Sequence, residues 1–126
     1  MHQTILDNLS RIEEQYQVTI LWACESGSRA WGFPSPDSDY DVRFIYAQKP
    51  SSYIRVFDNR DVIEEPIDGL LDISGWDIKK ALGLLRKSNP ALMEWLSSPI
   101  IYRQHAAIEP LRALAQASFL PLSSCH

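Results

Sequence analysis

Two aspartates one residue apart, Asp39 and Asp41, lie within the stretch GSRAWGFPSPDSDYDVRFIY, residues 27 to 46. Gly27 and Ser28 open that stretch after an apolar run, and ten residues separate them from Asp39. A third acid, Asp72, stands between Leu71 and Ile73. Aspartate is a poor strand former and is costly to bury without a partner, so these charges need compensation. A divalent metal carrying a nucleotide would supply it. Phosphoryl transfer requires charge to be neutralised on a triphosphate and on the attacking hydroxyl. Two Mg²⁺ (or Mn²⁺) ions about 3.5–4 Å apart do both jobs, and Mg²⁺ takes hard oxygen ligands such as carboxylates.

The chemistry assigns each residue a role. Carboxylates at i and i+2 on a strand share a face, so Asp39 and Asp41 are placed to bridge two ions. Asp72, from a neighbouring strand, would hold the ion at the nucleophile. Gly27 lets backbone approach the phosphates, and Ser28 with the amides after it would stand at a helix start, where anions are favoured. Each part is weak alone, since Gly-Ser is a common loop pair and most Asp-x-Asp pairs are solvated. The combination is the signal. Glu64, Glu65 and Asp68 remain rivals for the third position, although the apolar neighbours Leu71 and Ile73 favour Asp72.

The elements that would position these residues are legible from periodicity. Ile5, Leu9, Ile12 and Tyr16 form one stripe of a helix over residues 4 to 16, capped by Thr4 or Asp7, with Glu13 and Glu14 outside the stripe. Residues 18 to 24, VTILWAC, are β-branched and apolar and predict a buried strand that Gly27 ends. Ser28 through Trp31 fit one helical turn, before a loop with Gly32, Pro34 and Pro36. Residues 40 to 47 predict a strand, and period two puts Asp39, Asp41 and Arg43 on one face and Tyr40, Val42 and Phe44 on the other. Residues 51 to 57 are ambiguous, Asp61 to Glu65 reads as a short strand before Pro66, and Leu70 to Ile73 as a further one. Ser74 with Asp77 three residues on resembles a helix start, giving a helix from Gly75 to about Lys87. Asn89-Pro90 opens another, which Pro99 stops, and Glu109-Pro110 opens a last one to about Ala117. This order predicts an α+β (or α/β) fold with a mixed, twisted sheet and helices packed on one side.

Whole-chain properties narrow the function. The 126 residues fit one domain, residues 1–126. A formal net charge of −4 argues against a protein living on non-specific phosphate contacts. The two cysteines, Cys24 and Cys125, form neither a disulfide framework nor a zinc spacing. The N-terminus has no basic stretch followed by an apolar core, and no apolar run reaches the roughly 20 residues that span a bilayer, so a cytoplasmic protein without membrane contact is expected.

The opening stretch resembles the signature of the DNA polymerase beta nucleotidyltransferase superfamily: Gly-Ser, Asp-x-Asp, then a third acid flanked by apolar residues. LDISGWDIKKAL and LLRKSNPALMEWLSSPIIY add a similarity to the predicted nucleotidyltransferases associated with RNA ligase and RNA repair, covering about residues 18 to 103. The resemblance implies a nucleotidyltransferase fold, with Gly27 and Ser28 on the phosphates and Asp39, Asp41 and Asp72 as metal ligands. It implies transfer of a nucleoside monophosphate from a nucleoside triphosphate to an acceptor hydroxyl on an RNA end, with an RNA ligase as companion. Members of that group run on into a further helical region, so this chain is expected to lack it. Two rivals stand beside this reading: a minimal nucleotidyltransferase acting on a protein hydroxyl, and a non-catalytic nucleotide-binding module.

Other residues have plainer readings. Arg43 meets either a phosphate or one of the aspartates. Arg29 reads as a surface or packing residue, with phosphate contact the alternative. Lys87 and Ser88 look like a helix end, and the resemblance adds a nucleotide-binding role for them. Lys79 and Lys80 read as solvated, Asp77 as a helix-start charge, Cys24 as a buried apolar residue, and the tryptophans as core, with Trp31 the one placed to border a nucleotide. The histidines show no ligand spacing.

Overall fold

A computed structural model describes residues 1–27, 29–30, 39–49 and 61–115. Helix α1 (His2–Tyr16) buries Ile5, Leu9 and Ile12, the stripe that its helical spacing dictates. Strand β1 (Val18–Glu25) follows at once and is buried from Ile20 onward. A bulge between Ile20 and Trp22 inserts Leu21, so Leu21 and Trp22 join one core cluster while Ile20 and Ala23 join the other. Glu13 of α1 secures the bulge, its Oε2 accepting the Ile20 N–H at 2.8 Å.

The remaining strands are β2 (Tyr40–Gln48), β3 (Val62–Glu64), β4 (Leu71–Asp77) and β5 (Ile101–Gln104). They form one sheet of order β3-β4-β2-β1-β5. The β2–β4 pair is parallel and the others are antiparallel, so the sheet is mixed as expected. The helices, expected on one side, divide between both faces. Val42, Phe44 and Tyr46 of β2 pack with α1, whereas Ile45 packs with helices α2 (Ile78–Arg86) and α3 (Pro90–Ser97) and with Ile108 and Leu111. Burial on both faces explains why β1 and β2 lack clean alternation. A 3-10 turn at Ala106–Ile108 leads into a helical run over residues 109–115, near the opening expected at Glu109-Pro110.

The start of α2 differs from the sequence expectation. Ser74 and Gly75 belong to β4, which runs to Asp77, and Asp77 is the cap, its Oδ1 accepting the Lys79 N–H at 2.7 Å. Pairing with β2 carries β4 that far: Ser74 lies opposite Arg43 and Asp77 opposite Tyr46. A ladder of parallel hydrogen bonds wins over a local cap signal. The second cap is as expected, with Asn89 accepting the Leu92 N–H at 3.1 Å and Pro90 in the first turn. Strand β5, unassigned in the sequence reading, pairs with β1. The ambiguous residues 51 to 57 lie outside the described residues.

Gly75 allows the β2–β4 pairing to close. A Cβ there would stand 2.4 Å from the ring carbons of Phe44, its register partner, which is fully buried. Gly75→Ala is therefore expected to destabilise the domain by about 1–3 kcal/mol through overpacking. Urea denaturation checks this, and an unchanged midpoint would contradict it.

Candidate active site

Two of the three expected carboxylates come together. Asp41 and Asp72 are register partners on the parallel strands β2 and β4, on the sheet face that carries α2 and α3. Strand spacing places such partners about 5 Å apart at the backbone. Arg43, two residues along β2, lies against both. Its Nη2 is 3.2 Å from Asp72 Oδ2 and 4.0 Å from Asp41 Oδ1. Its Nη1 donates to the carbonyls of Val42 at 3.0 Å and Asp72 at 3.1 Å. The side chains of Asp41, Asp72 and Arg43 are 32%, 31% and 20% exposed, so the cluster is open to a ligand.

Gly27 abuts this cluster. A Cβ at Gly27 would stand 2.2 Å from Asp41 Oδ2 and 3.0 Å from Asp41 Cγ. Only glycine lets the turn after β1 lie against the Asp41 carboxylate. The Ser26 N–H, just ahead of it, donates to the Asp41 carbonyl at 2.8 Å, continuing the β1–β2 pairing into the turn. Ser28 and Trp31 lie outside the described residues. Asp39 precedes β2 and is exposed. Among the described residues no group of three or more His, Cys, Asp or Glu side chains is placed to hold a metal ion. Asp41 and Asp72 nevertheless fit a divalent ion as a pair: hard oxygen donors from two strands, facing one way, already sharing a cationic neighbour.

The rivals for the third position lie elsewhere. Glu65 pairs with Arg11 of α1 at 2.8 Å, Asp68 forms an isolated bridge with Leu71, and Glu64 is an exposed residue opposite Ser74. Lys87 is the exposed cap at the end of α2, and no described contact joins it to Asp41, Asp72 or Arg43. Arg29 stacks over the Tyr40 ring with its guanidinium carbon 3.8 Å from the centroid, the packing role expected of it. Asp77 is more than a helix-start charge, because it is buried and also accepts from Gln48 at 2.9 Å. Trp76 and Trp95 stack at 3.9 Å in the core beside Trp22, whose indole N–H donates to the Trp95 carbonyl. Burial pushes the Cys24 thiol up to about 12, so it remains an unreactive core group.

Glu25 escaped the sequence reading. It ends β1, is fully buried, and organises the site from behind. Its Oε2 accepts the Asp41 N–H at 2.7 Å and the Gly27 N–H at 3.4 Å. Its Oε1 accepts the Tyr102 hydroxyl of β5 at 2.8 Å, and the Ser98 hydroxyl donates to its carbonyl at 2.6 Å. Burial, then the Glu25 carboxylate, push the Tyr102 hydroxyl well above the ordinary tyrosine value, so it keeps its proton and stays a donor. One carboxylate thus ties the turn, β2 and β5 together. The available signal was an acid at the end of an apolar run, directly before the Ser-Gly turn.

A mixed sheet with a glycine turn pressed against an acidic pair on adjacent strands defines a nucleotidyltransferase-like α+β domain. The chain matches the RNA repair pathway DNA polymerase beta family over residues 1–126, and it belongs to that family. It is also 57% identical over 127 residues to Uncharacterized protein YcgL of Bacillus subtilis (strain 168), an alignment covering 100% of this chain and 49% of that protein. The chain therefore spans about half the length of the curated relative it matches. No solved structure matches it. No helix among the described residues is long and apolar enough to cross a membrane.

Proposed function

We propose that this chain is the nucleotide- and metal-binding part of a nucleotidyltransferase that moves a nucleoside monophosphate from a nucleoside triphosphate to a hydroxyl on an RNA end. The carrying observation is the in-register pair Asp41 and Asp72, with Gly27 held against Asp41 at a distance no Cβ could occupy. Membership of a polymerase beta family of RNA repair supports the reaction class and the RNA acceptor.

In this reading Asp41 and Asp72 hold Mg²⁺ or Mn²⁺, with Asp39 joining them when nucleotide is bound. The metal supplies charge neutralisation on the triphosphate and activation of the attacking hydroxyl. Gly27, its N–H turned back to Glu25, lets the turn lie close to the outer phosphates, and Ser28 offers them its amide and hydroxyl. Arg43 lies close enough to the acids to reach a phosphate they help to bind, and Lys87 is the more distant candidate. In the same reading Asp72 also accepts the proton of the attacking hydroxyl. Glu25 sits behind the site and fixes the backbone of Gly27 and Asp41 without touching substrate. An RNA ligase is the natural companion, because transfer to an end prepares or protects it for joining.

Incubation with each radiolabelled nucleoside triphosphate, Mg²⁺ or Mn²⁺, and single-stranded, nicked or hairpin RNA tests the proposal. Label is expected on RNA, dependent on metal and absent with Asp41→Asn/Asp72→Asn. Label on added protein instead would replace the acceptor. Metal-dependent nucleotide binding without label on any acceptor would make this chain a binding module.

A further inference from the structure

Among the described residues, Arg43 is the cation that lies against both acids. The parallel register brings two acids side by side, and like charges so placed repel unless a cation lies between them. The protein provides that cation itself, since the Arg43 guanidinium is 3.2 Å from one carboxylate and 4.0 Å from the other. We propose that Arg43 is a resident counter-ion, holding the position that a metal-bound nucleotide takes by displacing it. The inference rests on the metal-site reading above and adds an order of binding to it.

Charge counting supports the exchange. Two carboxylates and one guanidinium sum to −1, from −2 and +1. Adding a bare divalent ion to that set would place it against the guanidinium. The ion would then lose much of what the carboxylates offer, because charges a few ångströms apart near a surface interact strongly. Bare metal therefore competes poorly. A metal carried on a triphosphate arrives with anionic oxygens, and the released guanidinium can meet those in a bidentate contact. Release is feasible, because among the described residues Arg43 is held beyond the acids by donation to two carbonyls, and its side chain is 20% exposed. Arg43 would in this way make metal binding depend on nucleotide and keep the acids paired between turnovers.

The test is Mn²⁺ binding without nucleotide, followed by electron paramagnetic resonance, for the wild-type chain, Arg43→Met and Arg43→Lys. Arg43→Met is expected to bind bare Mn²⁺ about tenfold or more tightly than wild type, since a unit charge at this range is worth at least that factor. Arg43→Lys, which keeps the charge, is expected to stay near wild type. Thermal melting gives a second readout: Arg43→Met melts lower without metal, and Mn²⁺ restores it. Should Arg43→Met not fold, Arg43→Gln carries the comparison, because its amide can still donate to the Val42 and Asp72 carbonyls. Equal bare-metal affinity in wild type and the neutral variants, with both binding Mn²⁺–nucleotide, would overturn the counter-ion role and leave the metal site standing. No binding of Mn²⁺ or Mn²⁺–nucleotide by any of them would remove both.

Discussion

Asp41→Asn is expected to weaken Mg²⁺-dependent binding of nucleoside triphosphate by at least about 100-fold, because even groups that only orient metal ligands are worth about 10- to 100-fold. Asparagine keeps the shape and one acceptor oxygen but loses the charge. The fold should not suffer. Asp41 is the more distant of the two acids on Arg43, at 4.0 Å, so its removal leaves the closer Arg43–Asp72 pair intact and relieves repulsion between the acids. The melting temperature is therefore expected to hold or rise while calorimetric nucleotide affinity collapses. Gly27→Ala reaches the same carboxylate by a steric route. Its methyl would stand 2.2 Å from Asp41 Oδ2, so the partly exposed carboxylate must swing away. Most of that cost falls on the site rather than the core, and a smaller loss of nucleotide affinity in the same direction is expected. Wild-type affinity in Asp41→Asn would sink the metal role of this residue.

The strand positions of Asp41 and Asp72 and the turn at Gly27 were legible because each depends on short-range pattern. Period two put Asp41 and Arg43 on one face, and apolar flanks marked Asp72 over Glu64, Glu65 and Asp68. Pairing then placed Asp41 opposite Asp72, a relation between residues 31 positions apart that no local pattern states. Where tertiary pairing competed with local preference, the local reading failed. Ser74 and Asp77 imitate a capping box, yet β2 extends β4 through both. Strand β5 was invisible for a similar reason: IYRQ is four residues long, carries no alternating apolar face, and is a strand only because β1 is there to pair with it. The sharing of helices between two faces also depends on pairing. The bulge at Leu21 and the double burial of β2 hide the alternation that would have announced it.

Glu25 is the residue on which both the fold and the site converge, and Glu25→Ala is expected to cost about 3 kcal/mol or more. Truncation strips the Asp41 N–H and the Tyr102 hydroxyl of their acceptor, and each donor left unpaired in the interior costs about 1–3 kcal/mol. A cavity at a fully buried position adds to that. Against a typical domain stability of about 5–15 kcal/mol this is a large fraction, and the melting temperature should fall by about 10 °C or more. Glu25→Gln separates charge from connectivity. Its amide oxygen can accept from Asp41 and Gly27, and its NH₂ can donate to a Tyr102 hydroxyl turned to accept. The glutamine variant is therefore expected to lose clearly less than the alanine variant, because charge-assisted hydrogen bonds become neutral ones while each donor keeps a partner. Its nucleotide affinity should follow its stability and remain near wild type, because Glu25 acts through backbone position rather than through its charge. If Glu25→Gln instead abolished nucleotide binding in a chain that melts normally, the carboxylate charge itself would belong to the site, and Glu25 would have to be moved from behind the turn to among the metal-binding acids.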